Sequence, residues 1–499
     1  MQMHRPSKSL LFNSLGRYMP HYQALNSEEQ LAYRKRREIC RKLATLEKEL
    51  DSWLARSQAG QPFEKHHTQV RAIRAHLSEW HRTVRSLIRE DLRSSAEEFL
   101  NSVFNAERLI QSEHRIWEYF RSKFIQRHEA SFRQYLRVAD EFAWSCYWPI
   151  QQTVYPDPRA ASRKEPPLVF FNGGTSPFSL SRGKAFVPEV VIGESLDDSE
   201  IEAIRKLPIS IVGIPWNQIS HLPDAVVIGH EIGHVVEDDF GLTEAIERSL
   251  ARALKDSGAI GTERETAWQS WIGETFADVY GCLATGPAFV GGLIDFLARE
   301  YSEISNERKS KEEWGDYPTT YLRGKLILET LKQIGFTKEA IPYEELWSKF
   351  KSKMDVQYEE DVKAIVTHLL NDEIVKTSGS VEPDNSITEI FKYTEVERAE
   401  EVGVAAALDQ SMDPGVTDPR VLIASLRRAF EAAPREFFKK DFMGKMLNHF
   451  NTSVIKEGLV RNSEILLSEE DIQQLEQNAA EAAQLVIQSI LKGTSSKTA

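Results

Sequence analysis

The architecture of this chain is decided by one short segment, AVVIGHEIGHVV, residues 225–236. Side chains four residues apart share one face of an α-helix, so His230 and His234 project side by side. The flanking residues are apolar, which predicts a buried helix, and a buried helix does not carry two imidazoles and a carboxylate without polar partners. Two imidazoles at this spacing can bind one metal ion, and Glu231 can then face a water on that ion. The alternative is a core helix whose histidines are satisfied by neighbouring side chains.

A second segment downstream supplies the carboxylates that such a site needs. Residues 271–278 read WIGETFAD and place Glu274 and Asp278 four residues apart, again on one helical face. Apolar side chains surround both, so we expect this helix to be largely buried. One carboxylate can bind the metal, while the other accepts the free N–H of a ligand imidazole and fixes its orientation.

The two motifs together resemble the gluzincin group of zinc metallopeptidases, which includes thermolysin. The resemblance implies that His230, His234 and Glu274 bind one zinc ion per chain. It implies that Glu231 is the general base and that Asp278 orients a ligand imidazole. It further implies a zincin-type catalytic core, with an active-site helix and a small mixed sheet, that hydrolyses peptide bonds by means of a metal-activated water.

A third segment resembles one particular group of gluzincins. Tyr317-Pro318 is followed by Arg323, and gluzincins of the CAAX-prenyl-protease-like and heat-shock-membrane-protease-like group carry a similar His-Pro…Arg segment. Tyr317 stands where those proteins have His; its phenol can donate a hydrogen bond to an oxyanion, or it can simply begin a helix ahead of Pro318. Arg323 is expected near the site, either pairing with a carboxylate or contacting substrate. The resemblance covers about residues 165–335.

Strands are predicted just ahead of the active-site helix. One begins near residue 166, and a second covers residues 209–214 and ends at Pro215. By resemblance, residues 209–217 are expected to form the sheet edge that pairs with an extended substrate, because strand addition recognises backbone with little demand on sequence. A plain core strand is the alternative.

The N-terminal third reads as long helices. Apolar residues recur there at heptad-like spacing, interrupted by Gly60-Gln61-Pro62, which predicts an antiparallel helical hairpin or a short coiled coil. This pattern leaves open a protein partner or self-association through these helices. The apolar residues of this pattern are Ile39, Leu43, Leu46, Leu50 and Trp53 in the first helix, then Val70, Ile73, Leu77, Trp80, Val84 and Leu87 in the second.

The predicted fold class is α+β and mostly α-helical. Three domains are expected: a helical domain over residues 1–150, a zinc metallopeptidase core over 151–375, and a C-terminal helical segment over 376–499. Residues 377–386 read TSGSVEPDNS and are the best candidate for a linker.

Composition and charge limit the class of protein. The chain has 499 residues, of which 41% are hydrophobic and 27% charged, and its net charge is −13. Residues 1–150 hold 25 Lys and Arg against 18 Asp and Glu, but we expect the basic residues to lie on solvated helix faces, with no nucleic-acid binding. No apolar run is long enough to span a membrane, and no signal peptide is evident. The odd number of cysteines, three, suits the cytoplasm.

The sequence therefore predicts a soluble zinc-dependent peptidase that acts on a peptide or protein substrate, with Glu231, Tyr317 and Arg323 as catalytic residues. Two alternatives stay open. The chain can be an inactive regulator or scaffold that keeps the fold and binds peptides, although such a protein has no need of Glu231. It can also be a metal-dependent hydrolase of a non-peptide bond.

Overall fold

The computed structural model describes residues 22–58, 63–157, 164–182, 209–298, 304, 314–351 and 356–454. Its fold is mostly α-helical, with one mixed three-stranded sheet and one antiparallel strand pair, and this confirms the predicted fold class. Within these residues, no helix is long and apolar enough to cross a membrane. Of the predicted C-terminal helical segment, residues 455–499 lie outside the described residues.

The N-terminal region folds as three long helices. Helix α1 (Ser27–Arg56) and helix α3 (Ala96–Ile125) each begin with a capping box, in which Asn26 and Ser95 accept a backbone N–H three residues on. Helix α2 (His67–Asp91) runs antiparallel to α1, as the ion pairs Arg74–Asp51 and Arg85–Glu47 show. The predicted hairpin is thus confirmed, and α3 packs against both of its helices.

The main sheet is small and its central strand is not an edge. Strand β3 (Ile209–Pro215) lies between β1 (Glu165–Asn172), to which it is parallel, and β2 (Phe178–Leu180), to which it is antiparallel. The expectation that residues 209–217 form a substrate-pairing edge is therefore wrong for this strand. All seven of its residues are buried, as a strand covered on both faces requires.

Each face of the sheet packs against a different set of helices. On one face Leu168 and Phe170 contact the core of α1, α2 and α3. On the other face Val169 and Phe171 contact the core formed by α4 (Ala130–Val154) and the helices that follow the sheet. The alternation follows from the two-residue period of a strand. The sheet thus joins the N-terminal helices to the core that carries His230 and His234.

Side chains from the helical region cover the outer edge of β1. Gln126 donates to the carbonyl of Phe171 and accepts from its N–H, both at 2.8 Å, as a neighbouring strand would. Arg127 donates to the carbonyl of Val169, and Gln69 to that of Pro166. Polar side chains that satisfy an exposed edge prevent another strand from pairing with it.

The remaining helices surround the helix that carries His230 and His234. A 3₁₀ helix, Leu222–Val227, leads into α5 (Ile228–Asp239), which packs closely against α7 (Glu263–Thr285). Residues 377–386 are predicted to be a linker. In the structure, residues 377–384 instead connect strands β4 (Glu373–Val375) and β5 (Asn385–Ser386) of an antiparallel hairpin, and residues 385–386 form β5 itself. The other elements are α6 (Thr243–Asp256), α7 (Glu263–Thr285), α8 (Pro287–Leu297), α9 (Thr320–Gln333), α10 (Thr337–Trp347), α11 (Val356–Asn371), β4 (Glu373–Val375), β5 (Asn385–Ser386), α12 (Ile387–Ile390), α13 (Glu395–Asp409), α14 (Pro419–Ala432), α15 (Pro434–Lys439) and α16 (Phe442–His449).

Candidate metal centre

Two glycines of α5 let it lie close to α7. A Cβ at Gly233 would be 2.9 Å from the Cα of Ala277, and one at Gly229 would be 3.4 Å from the Cα of Gly281. Small residues therefore face each other at four-residue spacing on both helices. This close approach brings the imidazoles of α5 within reach of the carboxylates of α7.

Three predicted ligands meet at the α5–α7 contact. His230 Nε2 and His234 Nε2 lie 3.3 Å apart, and they lie 3.3 and 3.4 Å from the two carboxylate oxygens of Glu274. A tetrahedral zinc ion with bonds of about 2.0–2.1 Å separates neighbouring ligand atoms by about 3.3–3.4 Å. Among the described residues, these three form the one group of His, Cys, Asp and Glu arranged to hold a metal ion.

Asp278 and Arg323 form a second layer of contacts behind these ligands. Asp278 is fully buried, and its Oδ1 lies 2.8 Å from Nδ1 of His230. Arg323 donates two hydrogen bonds of 2.8 Å to the same carboxylate, and its Nη2 lies 3.9 Å from Glu274. Of the two roles expected for Arg323, the structure places it in carboxylate pairing, although its side chain also lines the adjoining cavity.

Opposite charges in this cluster stabilise the charged forms of Asp278, Glu274 and His230. Burial opposes ionisation of Asp278, but the Arg323 guanidinium outweighs burial and holds the pKa of that carboxyl below its usual range. Burial likewise opposes ionisation of Glu274, yet the neighbouring imidazoles of His230 and His234 keep the pKa of Glu274 well below its usual range. The carboxylates of Asp278 and Glu274, working against burial, raise the pKa of His230 to about 10.

The residues present fit a bound cation. With Asp278 beside Nδ1 of His230, Nε2 of the neutral ring presents a lone pair toward Glu274 Oε2, which also carries lone pairs. That oxygen is buried and has no hydrogen-bond partner within the described part of the chain. Two facing acceptors need a proton or a metal ion between them. The raised pKa of His230 means that a proton is held between these two atoms in the metal-free protein. A bound metal ion would displace that proton.

Glu231 and Tyr317 lie beside the ligands in one cavity of about 270 Å³. Glu231 is buried, whereas Tyr317 is 38% exposed and its ring stands 5.3 Å from the guanidinium carbon of Arg323. Burial, followed by the negative charge of Glu274, raises the pKa of Tyr317 above its usual range. The phenol therefore keeps its proton at neutral pH and can donate a hydrogen bond.

The cavity has an apolar wall that the sequence motifs do not reveal. It consists of Val227, at the end of the 3₁₀ helix, and of Leu293, Phe296 and Leu297 on α8. Residues 288–297 are a conspicuous apolar run, but at the sequence level such a run indicates only a buried helix. The turn before β2 completes the lining with Ser176 and Pro177.

Comparisons with protein-family models, with curated proteins and with solved structures gave no match to this chain. The geometry of the site itself is therefore the basis for assigning a function.

Proposed function

We propose that this chain is a zinc-dependent peptidase of the gluzincin kind, with one zinc ion held by His230, His234 and Glu274. The observation that carries the proposal is the spacing of the three ligands beside a buried carboxylate in a cavity: the two imidazole nitrogens lie 3.3 Å apart, and each lies 3.3–3.4 Å from one oxygen of Glu274. Imidazole and carboxylate ligands with one position left for water are typical of hydrolytic zinc sites.

Zinc bound there would supply Lewis acidity, which lowers the pKa of water and polarises a carbonyl group. Glu231 supplies the proton transfers: its carboxylate accepts a proton from the attacking water and returns it to the departing amine. Its burial inside the cavity keeps it in place for both steps.

Tyr317 and Arg323 have separate roles in this proposal. The protonated Tyr317 phenol, partly exposed in the cavity, donates a hydrogen bond to the oxyanion that forms on the substrate carbonyl. Arg323 acts through Asp278: by holding that carboxylate it holds His230 in position, which is the support that outer partners give to metal ligands.

The substrate is a peptide or protein segment that enters the cavity beside its apolar wall. The three cysteines are buried free thiols, and this supports a place in the reducing cytoplasm. A protein partner or self-association through α1–α3 stays a prediction, as do the three domain boundaries.

The test is cleavage of a defined peptide mixture by the wild type and by Glu231→Gln. We expect cleavage by the wild type and at least about a 100-fold loss in the variant, with zinc retained. The matched control is Glu244→Gln on α6, where the side chain is 90% exposed; it should cleave as the wild type does.

Other outcomes separate the alternatives. Zinc bound by the wild type without cleavage of any peptide would contradict the proposal and favour a peptide-binding scaffold. Hydrolysis of ester or amide probes outside peptides, lost in Glu231→Gln, would favour a different hydrolase.

A further inference from the structure

A second charge cluster, in which one buried guanidinium meets three partly exposed carboxylates, adjoins the elements that line the cavity, away from the proposed metal ligands. Its centre is Arg427 on α14, whose side chain is 1% exposed. The guanidinium contacts three carboxylates: its Nη1 lies 3.3 Å from Asp224, its Nε lies 2.6 Å from Glu431, and its Nη2 pairs with Asp295. We refer to these four residues as the Arg427 cluster.

The cluster joins the two apolar elements of the cavity. Asp224 belongs to the 3₁₀ helix Leu222–Val227, and the last residue of that helix lines the cavity. Asp295 lies on α8 between Leu293 and Phe296, which line it as well. One guanidinium from α14 therefore binds the element on each side.

The third carboxylate is itself held in place. Glu431 accepts a hydrogen bond of 2.6 Å from the hydroxyl of Tyr343 on α10. It also lies directly on α8, because a Cβ at Gly291 would be only 1.7 Å from its Oε1. A glycine at this position leaves room for the Glu431 carboxylate against α8.

Helix α14 belongs to the body of the protein. All residues from Val421 to Arg427 are buried, and the helix packs against both the 3₁₀ helix and α8. This buried part places α14 in the core, whereas residues 428–432 are partly or fully exposed. The C-terminal segment is thus placed to influence the cavity.

We propose that Arg427 is a positioning residue of the cavity: it fixes the separation of the two apolar elements and so sets the size of side chain that the cavity accepts. This proposal rests on the proposed peptidase function. Its physical basis is that three carboxylates around one cation are held together by that cation and would repel one another without it. Lysine cannot replace it, because an ammonium lacks the planar fork that reaches three partners in fixed directions.

The test compares Arg427→Lys with Arg428→Gln, a neighbour on the same helix whose side chain is 38% exposed. Cleavage preference is measured on a mixture of peptides that differ only in Leu, Phe or Ala beside the cleaved bond. We expect Arg427→Lys to lower the preference for Leu and Phe over Ala by about 10-fold. This lies within the range of discrimination that the fit of a side chain in an apolar pocket provides. The loss should appear as a higher KM for the large residues, with zinc content and kcat for the Ala peptide unchanged.

Amide hydrogen exchange gives a second measurement that needs no activity. In Arg427→Lys, but not in Arg428→Gln, residues 222–227 and 287–297 should exchange faster. An equal loss of rate on every peptide, or an unchanged preference, would overturn the proposal. If Arg427→Lys does not fold, Tyr343→Phe takes its place, because it removes only the hydrogen bond to Glu431 and should shift preference and exchange in the same direction.

The two proposals fail in different ways. If the wild type cleaves no peptide, the peptidase function fails, and exchange alone decides on the Arg427 cluster. Faster exchange of both segments would then support it, and unchanged exchange would overturn it.

Discussion

The contact between α5 and α7 predicts a specific effect of the substitution Gly233→Ala. The added Cβ would lie 2.9 Å from the Cα of Ala277 and 3.0 Å from the Cβ of Tyr280. Carbon atoms in ordinary contact lie about 3.5–4.0 Å apart, so the helices must separate by about 0.5–1 Å. Overpacking of this kind costs about 1–3 kcal/mol, and the better helix propensity of alanine offsets about 1 kcal/mol.

The same separation acts on the metal centre, because two ligands lie on α5 and the third on α7. An edge of 3.3 Å between His230 and Glu274 would lengthen beyond what tetrahedral zinc permits. We expect zinc affinity to fall by about 10–100-fold, the range seen when support of a ligand is lost. The assay is competition for zinc with a chromogenic chelator, combined with thermal unfolding of the metal-free protein.

The matched control is Gly273→Ala on α7. A Cβ there would meet only Glu237, at an ordinary 3.7 Å. This control should keep zinc affinity and gain up to about 1 kcal/mol of stability from helix propensity. The reasoning is refuted if Gly233→Ala binds zinc as tightly as the wild type and unfolds at or above the temperature of the control.

Three further predictions concern the residues around the metal. Asp278→Asn removes the charge that both His230 and Arg323 face, and zinc affinity measured by chelator competition should fall by about 10–100-fold; an unchanged affinity would contradict the role of Asp278. Tyr317→Phe should lower kcat by about 10–1000-fold and leave zinc affinity unchanged, whereas Arg323→Lys should weaken zinc binding. Steady-state kinetics and zinc titration of both variants test this. The reverse pattern would mean that Arg323 stabilises the oxyanion and that Tyr317 supports the zinc ligands. In the metal-free protein the pKa of His230 is raised from 6.5 to about 10, so the stability contributed by its proton is fully present below pH 6.5 and is lost as pH rises through about 10. Because zinc must displace that proton, zinc affinity should rise about 10-fold per pH unit between about pH 7 and 9, and a flat profile would show that His230 is not protonated in the metal-free site.

Much of the candidate metal centre was predictable from spacing alone. Four-residue separation on a helix fixes which side chains share a face, so the sequence suffices to place His230 beside His234 and Glu274 beside Asp278. The meeting of the two pairs was an inference from resemblance, and its physical cause is the close contact at Gly229 and Gly233. A glycine between apolar residues does not reveal at the sequence level what it packs against.

The order of the strands was not predictable. Strand β2 has only three residues, too few to give a periodic signal, yet its pairing makes β3 a central strand. The covered edge of β1 also depends on Gln126 and Arg127, whose polar character on a helix usually indicates solvent exposure. These features depend on tertiary contacts rather than on local pattern.

The role of Arg427 was equally hidden. Its partners Asp224 and Asp295 lie far away in sequence, and an Arg in an amphipathic helix gives no sign of burial. The apolar residues of α8 that line the cavity gave a strong burial signal, but burial against the core and burial against a cavity look alike in a sequence.

The central claim is a zinc ion held by His230, His234 and Glu274, and elemental analysis tests it most directly. Protein purified without chelators should contain about one zinc per chain in the wild type and in Glu244→Gln, and much less in Glu274→Ala. Absence of zinc from the wild type after zinc is supplied, or equal zinc in Glu274→Ala, would contradict the account.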